Sequence, residues 1–182
     1  MALMHSNMAP LGTTAHDFNL PDPDGKRYTL EDFKDAKILV VIFMCNHCPY
    51  VKAILDRLVS LARHFENSGV QFVGINPNDA EKYPDDSPEC MKQLAEEKGM
   101  TFPYLIDDSQ EVARQYDAVC TPDFFVYDQD RKLAYRGRLD DNWQEPEKVT
   151  SEELKAALKE LVAGRPAPEK QTPSMGCSIK WK

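Results

Sequence analysis

No stretch of the 182-residue sequence is apolar for long enough to cross a bilayer as a helix, so a membrane-spanning protein is not expected. Positive charge is in deficit, with 22 basic against 30 acidic side chains, a net charge of -8 and a pI near 5.0. No basic stripe carries interleaved aromatics, which removes the electrostatic footprint of a nucleic-acid binder. Met1 to Leu11 lack both a basic start and an apolar core, the two parts of a secretory signal. The resulting expectation is a soluble, cytoplasmic protein with no nucleic-acid or membrane partner. Internal repeats are absent, and the length suits one domain with long connections. Cysteine is sparse: five residues, odd in number and scattered, cannot form a disulfide framework and leave at least one free thiol.

Two of those five stand together. Cys45 and Cys48 follow the β-branched, apolar run Lys37–Phe43 and precede a segment in which Val51, Ile54, Leu55, Leu58, Leu61, Ala62 and Phe65 recur at helical spacing. They therefore fall where a buried strand ends and an amphipathic helix begins. The free amides and positive dipole end of a helix stabilise a thiolate and can lower a cysteine pKa from about 8.5 to as low as ~3.5. A reactive dithiol is the leading expectation.

Around this junction the pattern alternates. Asp17–Leu20 and Lys26–Leu30 read as short strands about a Pro-Asp-Gly turn, followed by a helical turn at Glu31–Phe33. A helix is expected from about Cys48 to Asn67, a strand over Val70–Ile75, and a helix over Pro88–Lys98 with Ser87 as cap and Gly99 as terminator. A short strand over Phe102–Ile106, a helix capped by Ser109 and running to Tyr116, and antiparallel strands over Phe124–Tyr127 and Lys132–Arg138 come next. The last helix carries Leu154, Ala157, Leu158, Leu161 and Val162 on one face. Beyond Gly164 periodicity ceases. Residues 1–10 thus read as an N-terminal extension, 11–164 as the domain, and 165–182 as an extended C-terminal tail.

The order of strand, Cys-x-x-Cys opening a helix, and Thr121-Pro122 before an antiparallel pair resembles the thioredoxin fold. Gly12, Ala15-x-Asp17-Phe18-x-Leu20, Asp24-Gly25-Lys26 and Leu30-x-Asp32-Phe33 look like the entry segment of its peroxiredoxin branch. Cys45-Asn46-His47-Cys48-Pro49-Tyr50-Val51-Lys52, Cys120-Thr121-Pro122-Asp123-Phe124-Phe125 and Gly176-Cys177-Ser178-Ile179-Lys180-Trp181 are similar to a group of peroxiredoxin-like (AhpC/TSA-related) thioredoxin-family proteins. The resemblance implies an α/β protein: a thioredoxin-like three-layer α/β/α sandwich with a mixed sheet, an N-terminal β-hairpin extension and an extended C-terminal tail. Two departures stand out. Aligned on Cys48, Val41 and Cys45 replace the Pro and Thr of the peroxidatic Pro-x-x-x-Thr-x-x-Cys, and Leu39 replaces the buried Asp of thioredoxin itself.

By position, the resemblance implies that Cys45 is the exposed attacking thiol and Cys48 the resolving one. A cationic His47 beside them would favour the thiolate, the alternative being a solvent-facing imidazole without a partner. Pro122 matches a cis-proline facing the dithiol, leaving the backbone of Thr121 to pair with an extended substrate. Cys120 is then a third redox partner, a metal ligand or a buried apolar residue. Cys177 is a resolving thiol that swings to the pair, or part of a tail packed down by Ile179 and Trp181. Cys90 reads as packing, and His5, His16 and His64 as surface residues. Arg136 and Arg138 could reach an anionic peroxide or thiolate, or be solvated strand-edge residues; Asp85-Asp86, Asp140-Asp141 and Glu145–Glu147 read as solvated loops.

The expected function is a thiol-disulfide oxidoreductase cycling Cys45 and Cys48, acting on protein or small-molecule disulfides and thiols with an unidentified reductant and no cofactor. One alternative is an antioxidant thiol peroxidase. The other is a copper- or zinc-binding protein using Cys45, Cys48, His47 or Cys120.

Overall fold

A computed structural model describes residues 3–182. In chain order it contains β1 (Leu3–His5), β2 (Asn19–Pro21), β3 (Arg27–Thr29), a 3-10 turn (Leu30–Phe33), β4 (Ile38–Phe43), α1 (Pro49–Phe65) and β5 (Val70–Asn76). A 3-10 turn (Pro84–Asp86) leads to α2 (Pro88–Lys98), β6 (Tyr104–Ile106), α3 (Glu111–Gln115), β7 (Cys120–Thr121), β8 (Asp123–Tyr127) and β9 (Leu133–Gly137). Another 3-10 turn (Pro146–Lys148), α4 (Glu153–Val162) and β10 (Met175–Ser178) complete it. Among the described residues, no helix is long and apolar enough to cross a membrane.

All six residues of β4 are buried, as the unbroken apolar run requires of a central strand. The five-stranded sheet has the order β6-β5-β4-β8-β9; β4 pairs in parallel with β5 and antiparallel with β8, and β9 closes the edge antiparallel to β8. Alternation along β4 divides the core. Val40, Ile42 and Met44 pack with α1 and α4, whereas Leu39, Val41 and Phe43 pack with α3 residues Val112 and Ala113 and with Phe18 and Phe33 of the entry segment. The expected mixed-sheet α/β/α sandwich is thereby observed. Leu39, at the position of the thioredoxin carboxylate, is fully buried in the second of these cores.

Local chemistry explains the helix limits. Ser87 Oγ accepts from the Cys90 amide, and Gly99, at φ 57°, ends α2 in the left-handed conformation that glycine adopts without a Cβ clash. The cap of α3 differs from expectation. Gln110 occupies it at φ 63°, while Ser109 Oγ accepts from the Glu111 amide and Asp107 Oδ2 from that of Ala113.

A larger difference lies at the ends of the chain. The tail, read as extended and without periodicity, contains β10, which lies between β1 and β7 in a separate three-stranded antiparallel sheet. Leu3 and Thr121 both stand opposite Cys177 in that sheet. Such a strand has no sequence signature, because its hydrogen bonds come from distant backbone and its buried positions include only a glycine and a cysteine.

Candidate functional site

Cys48 is the N-cap of α1, with Pro49 in the first helical position where its missing N–H costs nothing. Cys45 lies two residues beyond the end of β4 in the connection that Cys48 closes, so the three-residue step between them brings both to one helix terminus. Both are free thiols, and the expected exposed nucleophile is not found: Cys45 is 1% and Cys48 0% exposed. What covers them is the segment across the sheet. Thr121–Pro122 is a cis peptide, as the resemblance implied. Thr121 Oγ1 lies 3.2 Å from Cys45 Sγ, and the Thr121 carbonyl oxygen accepts from the Cys48 thiol at 3.1 Å.

The two thiols have opposite electrostatics. Hydrogen bonds from the Cys45 thiol, the Cys177 thiol and the Val51 and Cys177 amides outweigh burial and pull Cys48 down to about 5. Cys45 moves well up, through its role as donor to Cys48, burial, and the nearby Asp86 carboxylate. These directions favour the proton on Cys45 and make Cys48 the more acidic sulfur of the pair, whereas position implied Cys45 as the attacking thiol.

His47 is neither solvent-facing nor unpartnered. Its Nδ1 lies 2.5 Å from Asp86 Oδ2, and its ring stacks on Tyr83 with centroids 5.0 Å apart. Asp86, read from sequence as part of a solvated loop, is buried. It accepts from the Asn46 amide at 2.6 Å, from Asn76 Nδ2 at 3.3 Å and from Asn78 Nδ2 at 2.9 Å. Tyr104 Oη donates to Asn46 Oδ1 at 3.0 Å, tying the same loop to β6. Sequence reasoning missed Asp86 because a pair of acids between prolines resembles any exposed turn. The accompanying Asn76 and Asn78, polar residues closing an apolar strand, were the available signal.

Among the described residues, Cys45, His47 and Asp86 form one group with metal-ligand chemistry, their ligand atoms within 4.8 Å of one another. This differs from the anticipated set, since neither Cys48 nor Cys120 is included and Asp86 is. Cys120 Sγ faces the Pro122 carbonyl at 4.0 Å, and burial, then Asp123, push its thiol far above the ordinary range. Cys177 is 2% exposed and hydrogen-bonded through both thiol and amide to Cys48, with its own thiol pushed up to about 12, first by burial and then by Cys48. Ile179 is buried as expected, whereas Trp181 stays exposed, with the Arg114 guanidinium 4.8 Å from its ring centroid.

The remaining assignments separate cleanly. Arg136 is neither at the dithiol nor at a solvated edge; it is fully buried and paired with Asp123 at 3.1 Å. Arg138 pairs with Glu153 at 2.6 Å, and Asp140, also read as solvated, is buried against Arg57 at 2.9 Å. His5, His16 and His64 are exposed, and Cys90 is half-buried.

A family model described as the AhpC/TSA family matches residues 11–136. Curated relatives include a protein of Mycobacterium tuberculosis named as a candidate peroxiredoxin, 31% identical over 108 residues that cover 59% of this chain and 63% of that one. Another is the thiol-disulfide oxidoreductase ResA of Bacillus subtilis, 26% identical over 122 residues, 67% of this chain and 64% of that one. The chain thus spans less than two thirds of the length of these relatives. An uncharacterized conserved protein of Geobacillus kaustophilus has a crystal structure that superposes at a TM-score of 0.94, with 54% identity over 100% of this chain and 97% of its own. A hypothetical protein of Sinorhizobium meliloti gives a TM-score of 0.94 at 42% identity, covering 98% of each chain.

Proposed function

This chain belongs to the AhpC/TSA family, and on that premise we propose that it is a thiol-disulfide oxidoreductase whose Cys45 and Cys48 alternate between dithiol and disulfide. The observation that supports this most directly is the pair itself: two sulfurs in hydrogen-bond contact at the start of α1, facing a cis Thr121–Pro122, with the Cys48 thiol drawn down to about 5. At neutral pH Cys48 is the nucleophile. Its thiolate attacks one sulfur of a substrate disulfide, and the other sulfur leaves as a thiolate. Cys45 then attacks the Cys48 sulfur, forming the Cys45–Cys48 disulfide and releasing the second substrate sulfur, while the departing thiolate takes up the proton that Cys45 loses. With Leu39 in place of a carboxylate, the His47–Asp86 pair is the titratable group beside Cys45 that can handle this proton. A thiol reductant restores the dithiol, which suits a cytoplasmic setting.

Mild oxidation with diamide, tryptic digestion and mass spectrometry test the reading. Residues 38–52 form one tryptic peptide containing both cysteines, and it is expected to lose two hydrogens on oxidation and regain them with dithiothreitol. A peptide that stays fully reduced while the rest of the chain oxidises overturns the proposal.

Peroxide is a second substrate class, favoured by the thiolate falling on Cys48, the position that aligns with the peroxidatic cysteine. Stopped-flow mixing of Cys45→Ser with hydrogen peroxide checks it; a rate equal to that of a free thiol removes this reading.

A further inference from the structure

The cis-Thr121–Pro122 segment is where this fold offers backbone to an extended substrate, yet here that backbone is taken. β10 pairs with β7 so that Cys177 stands opposite Thr121 and Ser178 opposite Cys120. The fit is close: a Cβ on Gly176 would lie 1.9 Å from the Thr121 carbonyl oxygen, so only glycine lets the two backbones meet. The strand seated against the dithiol is thus part of the chain itself, and it presents a cysteine there.

Cys48 is the centre of three thiols. β10 sets Cys177 opposite Thr121, the residue whose carbonyl oxygen lies 3.1 Å from Cys48 Sγ, and the Cys48 sulfur interacts with the Cys45 thiol and with the thiol and amide of Cys177. Cys120, the remaining buried cysteine, has its sulfur against the Pro122 carbonyl instead. Cys177 and Cys45 therefore compete for the same partner from within the folded core, and neither has to cross solvent to reach it.

We propose that Cys177 is a third redox residue, which exchanges with the Cys45–Cys48 disulfide to form a Cys48–Cys177 disulfide. The proposal rests on the oxidoreductase reading above. Cys177, as thiolate, attacks the Cys48 sulfur; the Cys45–Cys48 bond breaks, and Cys45 leaves with the pair of electrons and takes the proton that Cys177 gave up. One disulfide and one thiol are present before and after, so the step needs no further oxidant. Part of what holds the proton on Cys177 is the charge on Cys48, and that charge is gone once Cys48 is in a disulfide. The exchange moves oxidation from the buried pair to a strand near the end of the chain. It also accounts for a substrate edge that is already filled: β10 occupies in cis the place of an incoming disulfide-bearing peptide, so external substrates are small disulfides unless β10 withdraws.

The experiment is disulfide mapping after diamide treatment of the full chain and of Cys45→Ser, with Cys120→Ser as a second variant. Cys177 falls in the tryptic peptide 171–180, separate from peptide 38–52. In Cys45→Ser at least half of the chains are expected to carry a cross-link between these peptides, and Cys120→Ser should show the wild-type pattern. If Cys45→Ser remains folded by circular dichroism and oxidises without joining the two peptides, the proposal is overturned. A wild-type chain whose peptide 38–52 oxidises internally while that cross-link is missing from Cys45→Ser would leave the oxidoreductase reading standing and remove this one.

Discussion

Two buried clusters lie on either side of Pro122, and they treat the same kinds of group in opposite ways. On one side Cys48, 0% exposed, receives the Cys45 and Cys177 thiols and the Val51 and Cys177 amides at a helix N-terminus, which together outweigh burial and the Thr121 carbonyl at 3.1 Å, and its thiol falls to about 5. On the other, Cys120, also 0% exposed, meets a carbonyl and the Asp123 carboxylate, and its thiol rises far above the ordinary range. Carboxylates differ likewise. Asp86 accepts from Asn46, His47, Asn76 and Asn78, whereas Asp123 relies on Arg136 alone among the described side chains, with Oδ1 unpartnered and its carboxyl pushed up to about 7 by burial. Depth of burial does not decide whether a group is chemically poised. The supply of donors does.

Removing one member of the Asp123–Arg136 pair is expected to have the largest effect on stability. Arg136→Met leaves a buried carboxylate without its partner and should cost about 3–5 kcal/mol in urea denaturation, with no change in the disulfide formed by Cys45 and Cys48. A redox pattern that changes with it would show that the two clusters are coupled.

Gly176→Ala acts on the opposite side. The added methyl group meets the Thr121 carbonyl, so β10 must shift, at a cost of about 1–3 kcal/mol. Iodoacetamide labelling of Cys48 should accelerate as the cover loosens, and unchanged labelling would mean that β10 does not control access.

Cys48→Ala should show its effect in the pH dependence. Between the ordinary thiol value of 9.0 and the folded value of about 5, the folded chain keeps Cys48 ionised while the unfolded chain takes up a proton. Stability from this group is complete above 9.0 and declines as pH falls toward about 5. The wild-type advantage over Cys48→Ala, measured by thermal denaturation, is therefore expected to grow from pH 5 to pH 9; a constant difference would place the thiolate elsewhere.

The smallest effect belongs to Cys120→Ala. It removes one buried apolar atom and should cost about 1 kcal/mol or less, with peptide 38–52 oxidising as before. Loss of that disulfide would bring Cys120 into the redox cluster.

Much of the sheet and helix pattern could be read locally. The apolar run of β4, the helical spacing of α1 and the Ser87 and Gly99 limits of α2 each rest on neighbours within a few residues, and each is observed within one or two positions. The placement of Cys45 and Cys48 at a helix start belongs with them. Asp86, the Arg136 ion pair and β10 were not legible, because their partners lie 40, 13 and at least 56 positions away or in a strand whose composition gives no signal.

The sequence by itself determined that two cysteines would sit at the junction of a buried strand and an amphipathic helix, since hydrophobic periodicity and a proline in the first turn are local properties. Only the tertiary structure decided which of them carries the charge and what covers them. A thiol's ionisation depends on every donor and carbonyl within hydrogen-bond reach, and here those come from β7, β10 and the Asp86 loop, which the fold brings together from distant parts of the chain.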